Sequence, residues 1–133
     1  SSVFIYSATN NSTDPQPSVS FGRLAEREPR VANAIRHMET RIDSPVTIAA
    51  IAKLLNISSR RLETLFNEQL GLSPAAYFAR LRLKTAERLL KDTNLSMQEI
   101  GVRTGFSSSA AFSRAFRKFS GIPPIKFRHS FSG

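Results

Sequence analysis

Apolar residues recur every three or four positions along most of this chain, and the gaps between runs carry residues that start and stop helices. Val31, Ile35, Met38 and Ile42 fall at helical spacing behind Pro29, which suits a first helical turn, and Asp43-Ser44-Pro45 stops the run. Thr47 can cap a short helix carrying Ile48, Ile51, Ala52 and Leu55. Asn56-Ile57-Ser58 reads as a tight turn. Ser58 or Ser59 then opens a helix holding Leu62, Leu65, Phe66 and Leu70 inward until Gly71 ends it. Ser73-Pro74 starts a long helix to Lys91, with a predicted inner face of Phe78, Leu81, Thr85 and Leu89 and an outer face of Arg80, Lys84, Glu87 and Lys91. Ser96 with Glu99 three residues on is a capping box, which predicts a short helix over 96–103. Gly105-Phe106 is the next turn, 108–119 the next helix, and Ile122-Pro123-Pro124 leads into a last short one. No stretch alternates with period two, so the pattern predicts an all-α fold of about seven helices and no sheet.

The helical pattern runs from Arg23 to His129. Residues 1–20 are rich in Ser, Thr, Asn, Pro and Gln, with one short apolar patch at Val3–Tyr6. That composition buries little surface, so 1–22 is expected to be a flexible linker, a tag, or the tail of a missing upstream domain. The expected divisions of the rest are 23–72, a linker helix over 73–91, and 92–133.

The middle of the chain repeats itself. Ile51–Ser58, "IAKLLNIS", aligns with Ile100–Ser107, "IGVRTGFS", and after one inserted residue Leu62, Phe66, Gly71, Pro74 and Tyr77 match Phe112, Phe116, Gly121, Pro124 and Phe127. Each copy reads helix, tight turn, helix. Ala52 and Gly101 are small enough to let two helices approach, while Asn56 and Gly105 tolerate a left-handed turn. This is the helix-turn-helix pattern, present twice.

Charge gives the repeat a purpose. The 133 residues carry 19 Lys plus Arg against 10 Asp plus Glu, a formal net charge of +9. An excess of that size suits polyanions: nucleic acid or an anionic membrane surface. No acid follows Glu99, yet Arg103, Arg114, Arg117, Lys118, Lys126 and Arg128 do. On a helical wheel Phe116 and Phe119 share the side of Phe112, while Ala110, Arg114 and Arg117 face the other way. The wheel of the first copy turns Arg60, Thr64 and Asn67 outward in the same phase. The second helix of this motif enters the major groove of DNA and reads base edges with its N-terminal half. Arg114 can make the forked contact to guanine, and Arg117 and Lys118, further along, suit phosphates. Ser59, Arg61, Asn67 and Ser108 complete the expected phosphate set.

At these residues the chain resembles the AraC/XylS family of transcription regulators, over roughly 28–130. The strongest stretch is "GFSSSAAFSRAFRKFSGIPPIKFR", through Gly105-Phe106, Phe112, Arg114-Ala115-Phe116, Gly121, Pro124 and Phe127-Arg128. The resemblance implies base contacts from Arg60, Glu63 and Thr64 in the first unit and from Ser109, Ala110, Ser113 and Arg114 in the second. Ala110 stands where the family frequently has a polar residue; its methyl suits a thymine methyl. "SSRRLETLF" and "LRLKTAERLL" look most like members whose upstream domain resembles class I glutamine amidotransferases. The resemblance further implies double-stranded promoter or operator DNA as partner, RNA polymerase as a partner of the full-length protein, and a small-molecule effector only through the missing upstream domain.

Other functions find little support. There is no "GxSxG", no cysteine, and no phosphate-binding glycine loop, so no catalytic residue is assigned and the chain is not expected to be an enzyme. His37 and His129 stand alone, without a second ligand at metal spacing, so neither a metal nor a cofactor is expected. The alternative is a non-enzymatic basic helical module that binds anionic membrane or RNA. Membrane binding lacks one long amphipathic segment, and RNA binding needs exposed aromatics, whereas these Phe residues face inward. The absence of cysteine, of a signal peptide and of any long apolar run fits a cytoplasmic protein, associated with the nucleoid when bound.

Overall fold

The structure, a computed structural model, describes residues 21–131; the predicted flexible segment 1–20 lies outside the described residues. Eight helices follow in order: α1 (Phe21–Arg27), α2 (Pro29–Glu39), α3 (Ile48–Leu54), α4 (Ser59–Leu70), α5 (Pro74–Asp92), α6 (Met97–Arg103), α7 (Ser109–Ser120) and α8 (Pro124–His129). Among the described residues there is no strand. The helix not expected is α1. It starts at Phe21, so Phe21 and Gly22 are helical rather than part of a flexible linker, and it packs on α2 through buried Leu24. Pro29 has no N–H to continue α1, and Glu28 takes a non-helical conformation (φ −144°, ψ 80°), so the chain restarts as α2.

The repeat seen in the sequence recurs bond for bond. The turn between α3 and α4 is closed by Ile57 N–H to Ala52 O at 3.1 Å, and that between α6 and α7 by Phe106 N–H to Gly101 O at 2.9 Å. Asn56 holds the left-handed conformation at φ 59° in one copy, and Gly105 at φ 82° in the other. Ser58 caps α4 by accepting the Arg61 N–H at 3.0 Å, while Ser108, one place later in the repeat, caps α7 through the Ala111 N–H. The inserted residue therefore lies in the second turn. Both second helices stop at a left-handed glycine, Gly71 and Gly121. Even an aromatic pair is repeated: Phe66 meets Tyr77 edge-on at 5.8 Å, and Phe116 meets Phe127 at 5.3 Å.

Each copy owns a core. The first gathers Val31, Ile35, Met38, Ile51, Leu62, Phe66 and Phe78; the second gathers Leu83, Ala86, Leu90, Ile100, Phe112 and Phe116. The linker helix α5 serves both, and here the single predicted stripe needs correction. Phe78 and Leu81 pack on the first core, but Leu83, Ala86 and Leu90 are the buried residues in the second half, with Thr85 and Leu89 only half-buried. At 100° per residue Leu83, Ala86 and Leu90 lie roughly 80–140° around the helix from Phe78. The buried face turns because the two cores sit on different sides of one rod.

Two basic residues are structural. Arg128 on α8 donates Nε to Leu90 O at 3.0 Å, Nη1 to Leu95 O at 2.6 Å and Nη2 to Thr93 O at 3.2 Å. It thereby satisfies carbonyls at and just beyond the C-terminal end of α5, where a cation also complements the helix dipole. Arg82 lies between the cores, its guanidinium 5.2 Å from the Phe78 ring centroid and 4.9 Å from that of Phe106. Nearby, the second turn abuts the loop after α2: a Cβ added at Gly105 would stand 2.6 Å from Pro45 Cδ and 2.7 Å from Ile42 O. Only a residue without a side chain fits there.

Candidate nucleic-acid interface

The candidate interface consists of the outer faces of α4 and α7. Both helices exist because an apolar stripe (Leu62, Leu65 and Phe66; Phe112 and Phe116) pins one side to a core and leaves the opposite side in water. Ser59, Arg60, Arg61, Glu63, Thr64 and Asn67 are all exposed on α4. Ser109, Ala110, Arg114, Arg117 and Lys118 are exposed on α7 with Ser108 just before it, while Ser113 is half-buried. The thirteen residues singled out in the sequence thus fall on two helices and their caps. Positions 60, 63, 64 and 67 of the first face correspond to 110, 113, 114 and 117 of the second.

The faces differ in chemistry. Along α7 run Arg114, Arg117 and Lys118 without an acid, whereas α4 balances Arg60 and Arg61 with Glu63 and Glu68. Among the described residues no carboxylate pairs with Arg60, Arg61, Arg114, Arg117 or Lys118. On α4 two donors are already engaged by the helix itself: Thr64 Oγ1 donates to Arg60 O at 3.1 Å, and Asn67 Nδ2 to Glu63 O at 2.9 Å. What Thr64 offers outward is a methyl and an acceptor oxygen, and Asn67 its carbonyl and the second N–H of its amide. Ser108 spends its oxygen on the Ala111 N–H but keeps a hydroxyl proton to donate.

The linker helix adds a third, weaker basic region. Glu87 is half-buried among Arg80, Lys84 and Lys91; burial pushes its carboxyl above the usual range, and the three cations only partly draw it back. The guanidinium of Arg82 is held below its ordinary value by burial. Neither Arg82 nor Arg128 faces outward with the candidate contacts. Their roles depend on partners 23 to 38 residues away, which no local pattern could reveal. Among the described residues no group of His, Cys, Asp and Glu could hold a metal ion, and no helix is long and apolar enough to cross a membrane.

Two helix-turn-helix units, each presenting an exposed, cation-bearing second helix, define a sequence-specific duplex-DNA-binding module. Residues 51–130 match the family described as "Helix-turn-helix domain". The chain belongs to the AraC-type family of helix-turn-helix transcription regulators. It is similar to the HTH-type transcriptional regulator GbdR of Pseudomonas aeruginosa, at 36% identity over 93% of this chain and 34% of that protein. Among solved structures it resembles an AraC-type transcriptional regulator from Chromobacterium violaceum, with a TM-score of 0.76, 36% identity, and coverage of 81% of this chain and 96% of that one. The fold also matches the DNA-binding domain of AdpA, solved in complex with a target DNA, with a TM-score of 0.73 at 24% identity over 77% of this chain and 92% of that one. The chain spans 34% of the length of GbdR and of ArgR and 39% of that of GlxA, three of the curated relatives it matches.

Proposed function

We propose that one copy of the chain reads an asymmetric duplex site of about two turns, with α4 and α7 in successive major grooves on one face of the DNA. The observation that carries this reading is the equivalent exposure of two second helices on one linker helix. At 1.5 Å per residue, the 19 residues of α5 make a rod of about 28 Å; adding the width of the packed units approaches the 34–36 Å of one DNA turn. Arg60 and Arg114 are assigned to guanine, Glu63 to a cytosine amino group, and Ala110 to a thymine methyl. Thr64, Ser109 and Ser113 complete the base-reading set. Ser59, Arg61, Asn67, Ser108, Arg117 and Lys118 take phosphates.

The reading assigns no reaction to the chain, places it in the cytoplasm, and makes it the promoter-binding part of a longer regulator. The full-length protein would meet RNA polymerase and sense its effector through an upstream domain. Selection of bound duplexes from a random pool, followed by insertion of about half a helical turn between the two recognised segments, tests the geometry. Affinity should fall toward that of one unit, because a helix cannot stretch to follow a groove rotated to the far side. Undiminished binding after the insertion would leave only one unit reading sequence.

A further inference from the structure

The two units meet at a joint built around one cation, Arg82, which lies between the cores. Arg82 Nη1 donates to Gly105 O at 3.4 Å, a long bond, and Nε is buried without a partner. A buried unpaired donor costs free energy that an apolar side chain of similar length would not. What the guanidinium supplies instead is geometry. Its central carbon stands over the ring of Phe78, which belongs to the first core, and over that of Phe106, which packs on the second. The Gly105 turn, held by the same side chain, presses on Pro45 and Ile42 of the first unit. Three points of contact close around one residue: a ring from each unit and the turn that launches α7.

We propose that Arg82 is a positioning residue that fixes the spacing and rotational phase of α4 relative to α7, and so sets which separation of half-sites the protein accepts. The ring faces determine where a planar cation sits, as a flexible apolar chain cannot. Because α5 turns a different side to each core, the rod alone leaves the second unit's tilt to the contacts at its side, and Arg82 with Pro45 and Gly105 provides them. The consequence for DNA rests on the two-groove reading above; the mechanical claim does not.

The chain has no cysteine, so Glu68→Cys and Gln98→Cys, one on an exposed position of each unit, admit two spin labels without background. Double electron–electron resonance should give one narrow distance distribution for this pair. Adding Arg82→Met should broaden it while the melting temperature stays level or rises, since methionine fills the space and removes the orphaned donor. Arg82→Lys, which keeps a charge near the rings without the plane, should give an intermediate width. Pro45→Ala, at an exposed position, provides a second route if Arg82→Met fails to fold, and should also broaden the distribution. Leu90→Ala, in the second core away from the joint, should lower the melting temperature without that broadening. Wild-type width in the folded Arg82 and Pro45 variants, or equal broadening in Leu90→Ala, overturns the proposal. On a selected duplex, one extra base pair between the segments should be penalised about threefold less in Arg82→Met than in wild type, because a looser linkage tolerates more separations. An equal penalty in both would overturn the claim about spacing. If wild type itself ignores the extra base pair, the two-groove reading fails, and the label distances still decide the role of Arg82.

Discussion

Replacing Arg128 by alanine should make the protein easier to unfold while leaving its grip on phosphates unchanged. The side chain donates to three carbonyls, those of Leu90, Thr93 and Leu95, at 2.6–3.2 Å. A hydrogen bond from a charged donor contributes about 1.5–3 kcal/mol when well buried. Arg128 is only half-buried, so water reaches the carbonyls it abandons, and roughly 1 kcal/mol per bond is the better figure. Three such bonds give a loss of about 3 kcal/mol. In a domain of this size 1 kcal/mol moves the melting temperature by about 4 °C, so the variant should melt about 12 °C lower. Urea titration should show the midpoint falling at constant slope, since the change leaves the area exposed on unfolding much as it was. Arg128→Lys keeps the charge but lacks the fork, and should recover about a third of the loss. In DNA titrations across salt concentrations, the slope of log K against log salt should match wild type, whereas losing one phosphate contact makes it shallower by about one. A stability loss under about 1 kcal/mol, or a shallower slope, would place Arg128 on the DNA side and refute the account.

Arg114→Ala should weaken specific binding by about 1–3 kcal/mol and relax preference at one base pair, whereas Lys118→Ala should weaken all duplexes alike and reduce the salt slope by about one; identical behaviour would remove the distinction. Gly101→Ala would place a Cβ 3.3 Å from Phe112 Cβ, so it should cost about 1–3 kcal/mol by overpacking. Urea unfolding should show that loss, because the crowded atoms are Phe112 Cβ and Cγ at the root of a buried side chain; an unchanged midpoint would mean that α7 gives way without cost. Glu99 accepts the Ser96 N–H at 2.9 Å, and that bond with the Ser96 hydroxyl holds its carboxyl below the ordinary 4.5. A carboxyl lowered in the folded state stabilises above its unfolded value and loses that contribution as pH falls through the folded one. The melting-temperature gap between wild type and Glu99→Gln should therefore shrink from about pH 6 to about pH 3, and a constant gap would contradict the capping-box assignment.

Local chemistry made much of this fold readable. The capping box at Ser96 and Glu99, the left-handed turns at Asn56 and Gly105, and the stops at Gly71 and Gly121 each need only a few neighbouring residues, and each appears where its residues stand. The outer faces of α4 and α7 were readable for the same reason, because a wheel needs only phase. Tertiary structure decided the rest. Alone, α1 is a seven-residue segment with one buried residue, Leu24, and only packing against α2 makes it a helix. The face of α5 turns between its halves because two cores compete for it. Nothing local marked Arg128 and Arg82 as structural, because the carbonyls they reach lie 23 to 38 residues away, and nothing near Gly105 announced that Pro45 would lie against it.

The described residues give the two cores no buried side chain in common, since α5 contributes Phe78 to one and Leu83, Ala86 and Leu90 to the other. A change deep in one core therefore reaches the other indirectly, through α5 and the contacts around Arg82 and Gly105. Duplicated units joined this way can drift at different rates. If α4 and α7 each read half of the site, as proposed above, the outer face of α4 can be retuned toward a new half while α7 goes on holding the old one. A regulator so built can acquire a new target one half at a time, through intermediates that never let go of DNA.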